Sequence, residues 1–172
     1  MKQRFFYCPV CGAPLTKGFF SGRQRLVCSK CGRIHYENPI VGVAAIIRNH
    51  MGQILMAKRA GKSTYEGLWC IPCGYVEYDE DILTAVVREA KEETGLSIEP
   101  LEVYAVHSNF HDAQQHTVGI WFKTKVIGGK MLAGDDACQL LWADIHNPPE
   151  LAFKTDKQVL RQLIVDEVWL FP

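Results

Sequence analysis

Glu89, Glu92 and Glu93 are the residues of this chain whose type and spacing most directly suggest chemistry. On a helix turning about 100° per residue, positions three and four apart fall within roughly one quadrant. The same wheel places Ile82, Leu83, Val86, Val87 and Ala90 on a neighbouring apolar arc, with Glu93 inside its edge. Three carboxylates beside a buried stripe repel one another and are costly to desolvate. A hard cation relieves both problems, and oxygen-rich clusters suit Mg2+ or Mn2+. The plain alternative is an acidic helix face in water, but the flanking residues argue for a site. Gly74 follows a strand-like run, where a backbone without Cβ can approach a ligand closely. Asp79 or Glu80 can cap the helix start, with further acid in the first turn. Gly95 can end the helix in a left-handed conformation, and Arg88 can steer a carboxylate by a charged hydrogen bond.

A second chemistry lies upstream. Cys8-Pro-Val-Cys11 and Cys28-Ser-Lys-Cys31 are two CxxC knuckles, each followed by glycine. Two thiolates from each knuckle complete a tetrahedral Zn2+ site, with two disulfides as the alternative use of the same residues. A module this small cannot build enough core alone, so the metal supplies folding energy. Residues 17–27 read as a short hairpin with Gly18 and Gly22 near its turn. Residues 1–35 carry seven Lys and Arg and no acid, so at zero net charge the rest of the chain carries the compensating negative charge. That balance, with Phe5, Phe6, Tyr7, Phe19 and Phe20, admits a nucleic-acid surface. Four thiolates with one Zn2+ offset part of the charge, and the aromatics are expected in the core. The module therefore reads first as a zinc-stapled structural appendage.

The elements that must position these groups follow from patterning. At 172 residues, 48% of them hydrophobic, the chain suits a small module followed by one ordinary domain. The expected boundaries are 1–36 and 37–172. The apolar run Val41 to Ile47 is too short to cross a membrane. The start MKQRFFYC lacks a long apolar core and a cleavage site, and thiols used for metal point to the reducing cytoplasm. Ile40 to Arg48 and Gln53 to Arg59 read as strands of a hairpin across Asn49–Gly52. Leu68 to Pro72, Leu101 to Phe110, Thr117 to Val126 and Cys138 to Trp142 are further strands. A closing amphipathic helix spans about Thr155 to Val168, with Val159, Leu160, Leu163, Ile164 and Val168 on one side. Strands with one central and one terminal helix give an α+β fold, a mixed sheet between helices.

The pattern Gly74, five residues, Glu80, seven residues, Arg88-Glu89-Ala90, one residue, Glu92-Glu93, one residue, Gly95-Leu96 resembles the signature of the Nudix hydrolases at every specified position. The resemblance implies an α/β/α sandwich and metal-dependent hydrolysis of a nucleoside diphosphate linked to another group. It also implies metal ligation by Glu89, Glu92 and Glu93 with the Gly74 carbonyl, orientation of the cluster by Arg88, and support from Glu80. A pyrophosphate is an anion, so an acidic site takes it through bridging cations, which also lower the pKa of an attacking water.

The order of zinc ribbon then box is similar to the NADH pyrophosphatases and to relatives acting on FAD or ADP-ribose. Where the NADH enzymes carry a Ser-Gln-Pro-Trp-Pro-Phe-Pro type motif, this chain has Ser108-Asn109-Phe110-His111-Asp112. The expected substrate is therefore a nucleotide-derived small molecule of the ADP-ribose or dinucleotide class. Related enzymes pair into homodimers, so a second copy is an expected partner, and a membrane is not. A capped RNA end is a further conceivable substrate. The alternative function is a regulator or RNA-binding protein that keeps the fold without hydrolysis.

Glu89 is the candidate base within the box, and Asp135, Asp136 and Asp112 are candidates from later loops, where simple turn chemistry is the alternative. Arg59 and Trp69 are candidate contacts to phosphate and base, with salt bridging and core packing as the competing use. His111 and His116 can touch phosphate or lie in a solvated loop. Cys70-Ile-Pro-Cys73 is a third CxxC, read as small buried residues rather than a redox pair.

Overall fold

The computed structural model describes residues 3–61, 65–110 and 115–170, the last three of these by backbone only. The chain divides into two compact units, Met1–Pro39 and Ile40–Pro172. In the first, β1 (Leu15–Phe20) and β2 (Arg23–Cys28) form an antiparallel hairpin, and β3 (Ile34–His35) adds to β2. Ser21 and Gly22, both at positive φ, make the turn. Gly18 lies mid-strand in β1, opposite Arg25, and not at the turn. The core of this unit is Cys8, Leu15, Leu26 and Cys28. Its aromatics are a correction to expectation: Phe5, Phe6, Tyr7, Phe19 and Phe20 are all exposed, Phe19 by 76%. A core closed by two cysteine knuckles and two leucines has no room for five rings.

The second unit is built around β4 (Ile40–Ile47), whose apolar run has no polar alternation because both of its faces are buried. Val43, Ala45 and Ile47 point into one core with Ala85, Val86 and Ala90 of α1 (Ile82–Thr94). Ala44 and Ile46 point into the other with Val159, Leu160 and Leu163 of α2 (Lys154–Leu170). The observed α/β/α sandwich follows from that division. Both edges of β4 are also taken, by β7 (Cys73–Tyr75) antiparallel and by β9 (Thr117–Gly129) parallel. The long β8 (Leu96–Asn109) closes the order β7-β4-β9-β8. For this reason the expected hairpin across Asn49–Gly52 does not extend. Asn49 Oδ1 accepts the N–H groups of Met51 and Gln53, as a turn requires. Beyond the Arg48–Ile54 bridge, however, β5 (Ile54–Arg59) leaves to pair with β6 (Trp69–Cys70) and β10 (Ala137–Ala143). Among the described residues no helix is long and apolar enough to cross a membrane.

One buried polar group ties the layers together. Asp156, in the first turn of α2, accepts the Ile71 N–H at 3.0 Å and the Trp121 Nε1–H at 3.2 Å. Burial lifts its carboxyl to about pKa 7. Ile71 immediately precedes the Pro72-Cys73-Gly74 segment, so the first turn of α2 fixes the approach to β7. Asp156→Ala leaves two core donors unpaired, and urea unfolding should show a loss of about 2 kcal/mol.

Candidate active site

Gly74 and α1 meet face to face. Gly74 pairs with Val43 in the β4–β7 ladder, and α1 packs on the same part of β4. A Cβ at Gly74 would lie 1.9 Å from Cδ of Glu89, with both carboxylate oxygens within 2.2 Å of it. Only a bare backbone admits that carboxylate. One residue earlier, the Cys73 N–H donates to Glu93 Oε2 at 2.8 Å. The strand and the helix are therefore joined through two glutamates.

The helix starts and ends as its capping chemistry directs, with one correction. The N-cap is Asp81, which accepts the Leu83 N–H at 2.9 Å, and the first turn of α1 contains no acid. Neither Asp79 nor Glu80 caps it. Leu83 is half exposed rather than on the buried arc, which is carried by Ala85, Val86 and Ala90. Gly95 ends the helix at φ +70°, its N–H bonded to the Lys91 carbonyl.

Glu80, freed from capping, takes both arms of Arg88: Nε to Oε1 at 2.9 Å and Nη2 to Oε2 at 2.8 Å. The guanidinium also donates to Glu89 Oε1 at 2.7 Å, Glu92 Oε2 at 3.0 Å and the Tyr75 carbonyl at 3.0 Å. This fork holds Glu80 below the usual carboxylate range. Its own charge is held above the usual arginine range, chiefly by Glu80.

The other glutamates are pushed the opposite way. Burial raises Glu89, with Arg88 opposing and the charges of Glu92 and Asp135 adding to the rise. Burial raises Glu93 to about 8, against the Cys73 N–H, with Glu89 and Asp136 adding and Arg59 opposing. Asp135 and Asp136 thus belong to the same electrostatic cluster as the box. Their turn is clamped to the end of α1, with the Gly134 N–H on the Glu93 carbonyl at 3.2 Å. A Cβ at Gly134 would lie 2.6 Å from the Glu92 carbonyl. Asp135 is held at φ +48°, an uncommon backbone state for a residue with a side chain.

Among the described residues the glutamates do not close into a set with ligand oxygens all within 4.8 Å of one another, whereas the four cysteines do. Arg88 Nη1 donates to both Glu89 Oε1 and Glu92 Oε2 and supplies the local positive charge. Crowded, partly buried carboxylates above a glycine backbone form a donor set that suits a hard divalent cation. In the first unit the Sγ atoms of Cys8 and Cys31 stand 3.8 Å apart, and those of Cys11 and Cys28 3.4 Å apart. Thiolates about 2.3 Å from a tetrahedral Zn2+ would stand roughly 3.8 Å apart. All seven cysteines are free thiols, so the disulfide alternative is not taken. Cys28 is held down to about 6 by the N–H groups of Cys31 and Lys30, while Cys11, 3.4 Å away, is pushed up to about 12 against the Ala13 N–H by the neighbouring thiols and by burial.

The remaining candidates separate. Arg59 packs over the Phe153 ring at 5.2 Å and faces Glu93 electrostatically. Trp69 packs against the core shared with α2, under Lys58. His116 stacks on Phe110 at 4.0 Å. His111 and Asp112 lie outside the described residues. Cys70 is buried and Cys73 half-buried, in contact with each other beside Glu93. Two contributors had escaped sequence reasoning, the Tyr75 carbonyl and the Cys73 N–H. Both are backbone atoms that only the strand register brings to the helix.

The raised Glu93 carries a sign. A carboxyl whose folded pKa exceeds its unfolded value contributes stability fully present below the unfolded pKa and lost as pH rises through the folded one. Without added divalent ion, stability should therefore fall between about pH 4.5 and 8. The Glu93 share is on the order of 5 kcal/mol, at about 1.4 kcal/mol per pKa unit. Thermal melts of Glu93→Gln should show a flatter profile and a higher Tm at pH 8, and an unchanged profile would refute the assignment.

Comparison with known proteins identifies the family. The NUDIX domain family model matches residues 38–163, and the Nudix N-terminal zinc-ribbon model matches residues 7–37. The chain is 40% identical over 123 residues to a protein of Methanocaldococcus jannaschii named ADP-ribose pyrophosphatase, covering 71% of this chain and 72% of that one. It is 26% identical over 159 residues to the NAD-capped RNA hydrolase NudC of Stutzerimonas stutzeri, covering 92% of this chain but 54% of that protein. A crystal structure of a NUDIX hydrolase from Nitrosomonas europaea superposes with a TM-score of 0.76 at 28% identity, over 91% of this chain and 88% of that one. The chain belongs to the Nudix hydrolase family and carries that family's N-terminal zinc-ribbon module.

Proposed function

We propose that residues 37–172 form a catalytic domain hydrolysing the pyrophosphate bond of ADP-ribose or a closely related nucleoside diphosphate derivative, with residues 1–36 as a zinc-bound domain. The observation that carries the reaction is the Glu89 carboxylate seated on the Gly74 backbone, 1.9 Å from where a Cβ would be. The similarity to the protein named ADP-ribose pyrophosphatase supports the substrate class. Glu89, Glu92, Glu93 and the Gly74 carbonyl are the donors that would hold Mg2+ or Mn2+. Such ions supply the positive charge that admits a pyrophosphate to an acidic site, and they acidify the attacking water.

The chain's own residues do the rest. Arg88 occupies Oε1 of Glu89 and leaves Oε2 to accept a proton from water, a role favoured by the raised affinity of Glu89 for protons. Glu80 fixes Arg88 from the far side, and Cys73 fixes Glu93. Asp135 and Asp136 are the second candidates for proton acceptor, and Arg59 for a contact to phosphate.

The test is turnover of ADP-ribose, FAD, NADH, diadenosine polyphosphates and nucleoside triphosphates with each metal, with products identified. ADP-ribose should be cleaved to AMP and ribose 5-phosphate. Glu92→Gln and Glu93→Gln should each lower kcat by about 100-fold or more with the fold intact. Gly74→Ala should do likewise by displacing a flexible carboxylate rather than by unfolding. Full turnover in all three variants, or RNA retention without hydrolysis of any substrate, would refute the reading and favour a non-catalytic regulator.

Elemental analysis should find a single Zn2+ per chain. Cys28→Ser should lose that ion and expose residues 1–36 to proteolysis while Ile40–Pro172 still melts cooperatively.

A further inference from the structure

The three-stranded sheet of the first unit has two faces, and only one carries that unit's own core. Side chains alternate along each strand, and antiparallel partners share a face. Leu15 and Cys28 are partners, Leu26 lies opposite Lys17, and His35 opposite Leu26. That face holds the small core and one knuckle. The other face carries Thr16 with Val27, Gly18 with Arg25, Phe20 with Arg23, and Val27 with Ile34, with Tyr36 two residues beyond Ile34.

On this second face two aromatic rings are set among two guanidinium groups. The Phe20 ring lies across Gly18, where a Cβ would meet its Cε2 at 2.5 Å. Gly18 is thus what allows the ring to rest on the sheet with its outer side open. Arg25 stands over the Tyr36 ring at 4.7 Å from the centroid, and Arg23 is exposed beside Phe20. Phe20 is 38% and Tyr36 56% exposed, large apolar surface for a unit with so small a core. No acid precedes Glu37 in the sequence, and by register the Cys28 thiolate points to the opposite face.

We propose that this face binds single-stranded nucleic acid, with bases stacked on Phe20 and Tyr36 and phosphates held by Arg23 and Arg25. Positive charge alone would suit any polyanion. Rings interleaved with arginine select a ligand that offers flat π faces and negative charge at alternate positions, and a single strand does so. A duplex hides its base faces, and an acidic peptide offers none.

The full-length, zinc-loaded chain should be titrated into fluorescein-labelled RNA and DNA single strands of about 12 nucleotides, followed by anisotropy at about 50 and 200 mM salt. A duplex of the same sequence and heparin serve as competitors. Single strands should bind, more weakly at the higher salt, and should resist displacement by the duplex. Phe20→Leu and Tyr36→Leu keep apolar volume but remove stacking, and each should weaken binding by roughly 5- to 100-fold with an unchanged salt slope. Arg23→Ala and Arg25→Ala should each flatten the slope by about 0.7. Zinc content and ADP-ribose turnover should stay at their original values, so binding and hydrolysis are read separately. The RNA and DNA arms decide which strand is preferred. No binding of either strand would overturn the proposal. So would binding that heparin abolishes equally in the original chain and in both leucine variants.

Discussion

The active-site half of this protein depends on one guanidinium. Arg88 meets three carboxylates and a strand carbonyl, and without it Glu80, Glu89 and Glu92 would be negative charges with no fixed geometry. A planar fork with five donors can serve all four acceptors, which a lysine ammonium with three donors cannot. The network also ranks the carboxylates by proton affinity: Glu80 is lowered, Glu89 is raised, and Glu93, which accepts no bond from the fork and is the most buried of the three, is raised furthest. Carboxylates whose environments push their proton affinities apart can take different chemical roles.

Much of this was legible in the sequence because it lies within one helix and its two ends. The spacing of Glu89, Glu92 and Glu93, the glycine at 95 and the apolar arc through Val86 and Ala90 are all local, and helical periodicity reports them directly. The sequence leaves the capping residue ambiguous because two aspartates, Asp79 and Asp81, are equally good caps by type and flank Glu80. The choice fell to Asp81 because Glu80 is needed eight residues further on by Arg88. The contributions of the Tyr75 carbonyl and the Cys73 N–H were not legible, since backbone atoms carry no signature and only register places them. Asp135 and Asp136 were candidates by residue type, and what the sequence could not give was the clamp of Gly134 on α1 that fixes their turn at the end of that helix.

In the N-terminal unit the spacing of the cysteines was informative and the apolar content was misleading. Five aromatics in so short a stretch look like a core under average composition rules. A metal-centred ribbon does not need them there, because thiolate bonds replace most of the burial that a free-standing module would require. Rings left outside such a unit are then better understood from their neighbours on the sheet than from their hydrophobicity.

The parallel pairing of β4 with β9 has a consequence for how the protein is made. Residues 40–47 find their parallel partners at residues 117–124, so one edge of the central strand stays open until most of the chain has been synthesised. Non-local pairing of this kind is slow to form. β7, which carries Gly74, and α1 both precede β9 in the chain, so the elements that bring Glu89 onto Gly74 are made before the strand that completes the sheet.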